Sequence, residues 1–292
     1  MKKTLALGLG GGGARGLAHI GVLEVLDENG IKPDMIAGTS MGAIVGGLYA
    51  LGYSAVEMKK MVENLNIPSI RPVRYLNLLH ESLLRDDMIN DVLDQLFENK
   101  TFEDCKIPFC TIAVDLETGH EVLFEKGSLK DAIRATVSVP ILFPPHFYND
   151  RYLIDGGLIN NVPLSCLRDK NPDVLIGVRI LNYTSRQYIS GMVYRKYHRK
   201  KYAKYFKKRS FLSRFFRSRN RDLHLLLGIA LRAMDIAAHD STKVRIWDAN
   251  PDLLLKPNIV CGMLEFDQAG VAMEEGKAVM EKDIDKLKKL LS

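Results

Sequence analysis

Cysteine is scarce in this chain. Cys105, Cys110, Cys166 and Cys261 are the only four in 292 residues, and their spacing follows no zinc or disulfide pattern. That argues against a metal site and for ordinary thiols in a reducing, cytoplasmic compartment. Long apolar runs are missing too. The richest, Leu223 to Leu231, contains His224 and stops at Arg232, well short of the roughly 20 residues a membrane-spanning helix needs. The opening Met1-Lys2-Lys3-Thr4-Leu5-Ala6-Leu7 only faintly resembles a signal peptide, because glycines and Arg15 soon break its apolar stretch. There is no internal repeat and no Pro- or Ser-rich linker. Length alone also permits two domains, but we expect one α/β domain over residues 1–292.

Acid is missing from one window. Residues 186–221 hold 14 of the 41 lysines and arginines and no aspartate or glutamate. The other 27 cations face all 35 acids, so the body is acidic, at −8, and carries one very basic insertion. Aromatics interleave with its cations, and Tyr194, Tyr197, Tyr205, Leu212 and Phe215 approximate one helical stripe. Such a segment fits an anionic membrane surface, with aromatics at the headgroup level. A solvated insertion is the next reading; single-stranded nucleic acid ranks last.

About half of the chain is apolar, and its pattern is that of an α/β protein. Thr4 to Leu9 reads as a buried strand, Leu17 to Asn29 as a helix stopped at Gly30, Asp34 to Ala37 as a second strand, and Ala43 to Leu51 as a buried helix. This strand–turn–helix rhythm, used twice, predicts a parallel sheet. Further helices are expected at Ser54–Leu65, Asp86–Glu98, Leu129–Thr136, Leu223–Arg245 and Gln268–Leu291. Further strands are expected at Ile107–Leu116, Glu121–Phe124, Arg151–Ile154, Asp173–Ile180 and Leu253–Pro257. Prolines at 140, 144 and 145 mark a loop that takes in His146, and the stretch from Ile67 to Arg85 is a candidate lid by position.

Three short segments carry chemistry. The first is Gly10-Gly11-Gly12-Gly13-Ala14-Arg15-Gly16, between a strand and a helix. Such a turn aims free N–H groups at one spot, aided by the helix N-terminus. Gly8, Gly10 and Gly13 satisfy G-x-G-x-x-G, but a dinucleotide site wants an acid closing the second strand, and Gly38-Thr39-Ser40 stands there. Arg15-Gly16-Leu17 supplies no Walker lysine. The second segment, Gly38-Thr39-Ser40-Met41-Gly42, is a G-x-S-x-G between strand and helix, where a sharp turn lifts a serine hydroxyl into the open. The third, Asp155-Gly156-Gly157, opens Asp155-Gly-Gly-Leu-Ile-Asn-Asn161-Val-Pro163 and sets a carboxylate at a strand end. Alone, each has a blander reading as a tight turn or an Asx-turn. Together they supply a nucleophile, a base and an oxyanion hole. The histidines after Asp155 (His198, His224, His239) sit in the basic insertion or inside an expected helix, which disfavours a histidine triad. His19 and His146 are read as a helix residue and a loop residue without a catalytic role.

In this order the segments resemble the three motifs of the patatin-like phospholipases, and Ala135-Thr-Val-Ser138-Val-Pro140-Ile-Leu-Phe-Pro-Pro145 resembles the loop leading into that family's catalytic aspartate. The resemblance is clear from Leu5 to Pro163. It implies a three-layer sandwich with a mostly parallel central sheet flanked by helices. It implies a Ser–Asp dyad, with Ser40 as nucleophile and Asp155 as base. The backbone N–H groups of Gly12, Gly13 and Arg15 match the oxyanion donors, and the Arg15 guanidinium braces the loop. No metal or cofactor is implied. The expected function is a lipid acyl hydrolase of phospholipase A or lysophospholipase type, peripheral to a membrane. The alternatives are a soluble carboxylesterase or thioesterase, and a non-catalytic membrane-associated regulatory protein.

Overall fold

The computed structural model describes residues 2–64, 86–180, 221–259, 263 and 265–292, with the side chains of 221–228, 231 and 232 left aside. The candidate lid at 67–85, residues 186–220 of the basic insertion, His198, the His224 side chain and Cys261 therefore lie outside the described residues.

The first strand, β1 (Leu5–Leu9), is wholly buried. A 3-10 turn at Gly13–Leu17 leads into α1 (Ala18–Glu28). Then come β2 (Met35–Gly38), α2 (Met41–Leu51), α3 (Ala55–Asn64) and α4 (Asp86–Phe97). The middle of the chain forms β3 (Phe109–Asp115), β4 (Glu121–Phe124), α5 (Leu129–Thr136), β5 (His146–Tyr148) and β6 (Arg151–Asp155). It closes with α6 (Ser165–Arg168), β7 (Val174–Val178), α7 (Arg221–Ala249), β8 (Leu253–Leu255) and α8 (Ala269–Leu291).

The sheet runs β5-β6-β3-β2-β1-β7-β8, with β4 also paired to β3. From β3 to β8 the neighbours are parallel; β4, β5 and β6 pair antiparallel. Side-chain alternation divides the two faces. Leu5, Leu7 and Leu9 join a cluster with apolar residues of α1, α2, α4, α5 and α8. Ala6, Ala37, Cys110 and Leu175 face the other way, onto Leu164 and Leu167 near α6 and Ile246 of α7. Helices thus cover both faces, and the layers number three. The second face is built of small residues because the chain comes close: a Cβ on Gly8 would stand 2.5 Å from Leu164 Cδ2.

His146 is not in a loop. It opens β5, paired to Leu153. The turn after this strand, Asn149-Asp150, has φ of 50° and 59°, the two positive values of a type I′ hairpin, so the Asn-Asp pair was the signal for it. The four-residue α6 was also unmarked, being too short to show a helical period. Nor did sequence spacing reveal that the thiols of Cys110 on β3 and Cys166 on α6 lie 3.1 Å apart.

Candidate active site

Ser40 sits where β2 turns into α2, with φ 53° and ψ −124°. A non-glycine residue in that region is strained by roughly 1–3 kcal/mol and persists only if its surroundings hold it. They do. Ser40 N–H donates to Thr136 Oγ1 (3.1 Å) on α5. Thr39 N–H donates to the Leu9 carbonyl (3.0 Å), and Thr39 Oγ1 to the Asn160 carbonyl (3.2 Å). The flanking glycines are steric necessities: a Cβ on Gly38 would stand 2.4 Å from the Gly42 carbonyl oxygen, and one on Gly42 would stand 2.2 Å from the Leu9 carbonyl oxygen.

The glycine loop lies beside this elbow. Gly10, Gly11 and Ala14 donate their N–H groups to the carbonyls of Val178 (3.0 Å), Asn161 (3.1 Å) and Met263 (2.8 Å). Gly12 and Gly13 donate to no acceptor among the described residues, and both line a cavity shared with Ser40. Gly13 has φ 59°, and a Cβ there would meet the Met263 carbonyl oxygen at 2.3 Å, so only glycine fits. Arg15 is buried and its Nε donates to the Gly12 carbonyl (3.2 Å), which braces the loop from within. His19, fully buried on α1, donates Nε2–H to the Gly10 carbonyl at 2.7 Å. Burial pushes its pKa down to about 4 against that hydrogen bond, so the ring is neutral at physiological pH.

Asp155 reaches Ser40 through the sheet. On β3, Thr111 pairs with Gly38 of β2 and Ala113 pairs with Asp155 of β6. The carboxylate thus arrives two residues along β3 from the point where β2 turns into the elbow. Burial pushes the Asp155 carboxyl up to about 6, opposed by the hydrogen bond from the Gly157 N–H and by the nearby Ser40 hydroxyl. The Gly157 bond is 2.7 Å long, to Oδ1.

Two cavities meet at Ser40. The smaller, about 70 Å³, is lined by Gly11, Gly12, Gly13, Asp155 and Asn161, with Met234, Asp235 and Ala238 of α7 over it. The larger, about 170 Å³, is almost wholly apolar and is walled by α2, α3, α4 and the 137–143 loop. Five methionines line it: Met41, Met58, Met61, Met88 and Met263. Unbranched and polarisable, they fit a pocket for flexible apolar ligands. Buried Arg134 fixes one wall, donating to Ser138 Oγ (2.5 Å) and pairing with Asp86 at the start of α4.

All the residues singled out from sequence lie at this junction: Ser40, Asp155, Gly12 and Gly13 line it, and Arg15 sits behind it. His239 points elsewhere, its Nδ1 2.6 Å from an Arg179 guanidinium nitrogen. Among the described residues, no group of three or more His, Cys, Asp or Glu could hold a metal. Three features had not been singled out. Thr136 had no motif to mark it. The methionine pocket is assembled from distant segments. Asn161 stood in plain view six residues after Asp155, but its amide position is a tertiary fact.

An uncharacterized NTE family protein of Mycobacterium tuberculosis is 36% identical over 176 residues, which are 60% of this chain and 49% of the relative. Patatin-like phospholipase domain-containing protein 6 of Mus musculus is 33% identical over 182 residues, 61% of this chain and 13% of that protein. The chain thus spans about half the length, or less, of these curated relatives. Among solved structures, VipD from Legionella pneumophila superposes with a TM-score of 0.52 over 98% of this chain and 67% of its own, at 11% identity, a likeness of fold alone. Residues 7–167 match the patatin-like phospholipase family model, the stretch that holds the glycine loop, the serine elbow and Asp155, and the chain belongs to that family.

Proposed function

We propose that this chain is a serine lipid acyl hydrolase that cleaves carboxylic esters of membrane lipids through Ser40 and Asp155. The observation that carries the reading is that Ser40 and the buried Asp155 line one polar cavity, which meets an apolar one at Ser40. Asp155, with its pKa near 6, is ionised at neutral pH yet basic enough to accept the Ser40 proton. Ser40 Oγ attacks the ester carbonyl. The Gly12 and Gly13 N–H groups take the oxyanion, with the N–H of Arg15 as the further donor beyond Ala14. The proton passes to the departing alcohol, and water then releases the fatty acid. The apolar cavity holds the acyl chain, each buried methylene adding about 0.8 kcal/mol.

The body over residues 1–292 acts as one catalytic unit in this reading, and the basic insertion at 186–221 brings it to an anionic membrane surface. That step rests on the insertion's 14 cations and interleaved aromatics. The test is fatty-acid release from anionic phospholipid vesicles and from a short soluble ester, with wild type beside Ser40→Ala. Release from vesicles that vanishes in Ser40→Ala is expected. Release from the short ester alone would favour a soluble esterase. Full activity in Ser40→Ala would remove the proposal, and no release from either substrate would favour a regulatory protein.

A further inference from the structure

We propose that Asn161 is a further catalytic residue. Its side-chain Nδ2 donates to the ester alkoxy oxygen as the C–O bond breaks, then to the oxygen of the attacking water. The inference rests on the Ser40–Asp155 reading and adds the group that receives the leaving alcohol.

The amide of Asn161 occupies space that glycines leave open. A Cβ on Gly11 would stand 3.0 Å from Asn161 Nδ2 and 3.0 Å from Ser40 Cβ. A Cβ on Gly157 would stand 3.0 Å from the same Nδ2 and 2.9 Å from Asp155 Oδ1. The donor therefore shares the space beside Gly11 with Ser40 Cβ and the space beside Gly157 with Asp155 Oδ1. The main chain holds it there, because the Asn161 carbonyl accepts the Gly11 N–H.

A buried asparagine serving only the fold spends its amide on protein partners. Asn161 is 5% exposed, yet neither its donor Nδ2 nor its buried Oδ1 has a hydrogen-bond partner among the described residues, and the side chain lines the cavity of Ser40 and Asp155. The fold leaves that amide to whatever enters the cavity. The oxyanion faces the glycine loop, so the oxygen next to Asp155 is the alkoxy oxygen.

The steps balance. Ser40 gives its proton to Asp155 and bonds to the acyl carbon. As the tetrahedral intermediate collapses, the C–O bond to the alcohol breaks, Asp155 returns the proton to that oxygen, and Nδ2 donates to it while charge develops. Water takes the vacated place. Asp155 accepts a proton from it, the new C–O bond forms, and Ser40 leaves with the proton as the acid is released.

The test uses two esters of one acyl group, a p-nitrophenyl ester and an alkyl ester, with Asn161→Ala and the near-isosteric Asn161→Asp. A leaving-group donor matters most where the leaving oxygen is most basic. Asn161→Ala is expected to lose about 100-fold in kcat/KM on the alkyl ester and far less on the p-nitrophenyl ester. The latter should release nitrophenol in a burst, because water attack is slowed. A fluorophosphonate should still label Ser40 at close to the wild-type rate. Equal losses on the two esters, or none, would overturn the inference. If Asn161→Ala does not fold, Asn161→Asp carries the same comparison. No labelling of the wild type would instead remove the Ser40–Asp155 reading, and this inference with it.

Discussion

At the scale of single residues, the site holds energy that the fold does not recover. Ser40 sits in a strained backbone region, and Asp155 carries its charge almost without water. The sign for Asp155 follows from its raised pKa, about 6 in the folded protein against an ordinary aspartate's 3.8. The folded state binds the proton more tightly, so this group's stabilising effect is full below about pH 4 and is lost as pH rises through 6. Asp155→Asn removes that loss. It should abolish ester turnover and raise unfolding stability at about pH 8 by up to about 3 kcal/mol, with no gain at about pH 4. Denaturant titrations at the two pH values check it. In wild type, kcat/KM should fall about tenfold per pH unit below 6, as the base is protonated.

At the scale of elements, glycine decides how closely helices approach. In α1 and α8, a Cβ on Gly21 would lie 1.9 Å from the Met273 carbonyl oxygen, and one on Gly276 would lie 1.9 Å from the Ala18 carbonyl oxygen. Both contacts are to backbone, which a rotamer change cannot relieve. Lys277 bridges the same pair of helices to Glu24 (2.9 Å) and Glu28 (2.8 Å). Gly276→Ala should destabilise by about 1–3 kcal/mol through overpacking. Gly270, in the first turn of α8, has no atom within 4 Å of its Cβ position. Gly270→Ala should instead stabilise by about 0.5–1 kcal/mol, through helix propensity and a less flexible unfolded chain. Urea melts of the two variants give opposite signs if packing, and not composition, governs this interface.

At the scale of the whole molecule, the apolar cavity is what several elements make together. Residues of α2, α3, α4 and the 137–143 loop converge on Ser40, and no one of them would form a pocket alone. Val92 on α4 lines it from the partly exposed side. Val92→Phe should reduce kcat/KM for long-chain esters about 10- to 100-fold while sparing an acetate ester, because chain methylenes lose their place and the reacting carbonyl does not. A chain-length series of soluble esters reads the crossover. Among the described residues, no helix is long and apolar enough to cross a membrane.

Much of this was local, and local chemistry is legible in a sequence. Alternation in Leu5–Leu9, the buried helix after Ser40, and glycines at 13, 38 and 42 follow from side-chain period, turn geometry and steric room, all set within a few residues. The order of the three motifs sufficed to name a family. Other facts depend on strand order and packing, which join residues far apart in the chain. Register on β3 brings Asp155 to Ser40, and the body around it raises its pKa. Three helices and the 137–143 loop enclose the cavity, and the space beside Gly11 and Gly157 gives Asn161 its place. The sequence by itself determined which groups are present and how each turn is made. Only the tertiary structure decided their distances, their burial and what surrounds them, because those come from long-range contacts that no local pattern encodes.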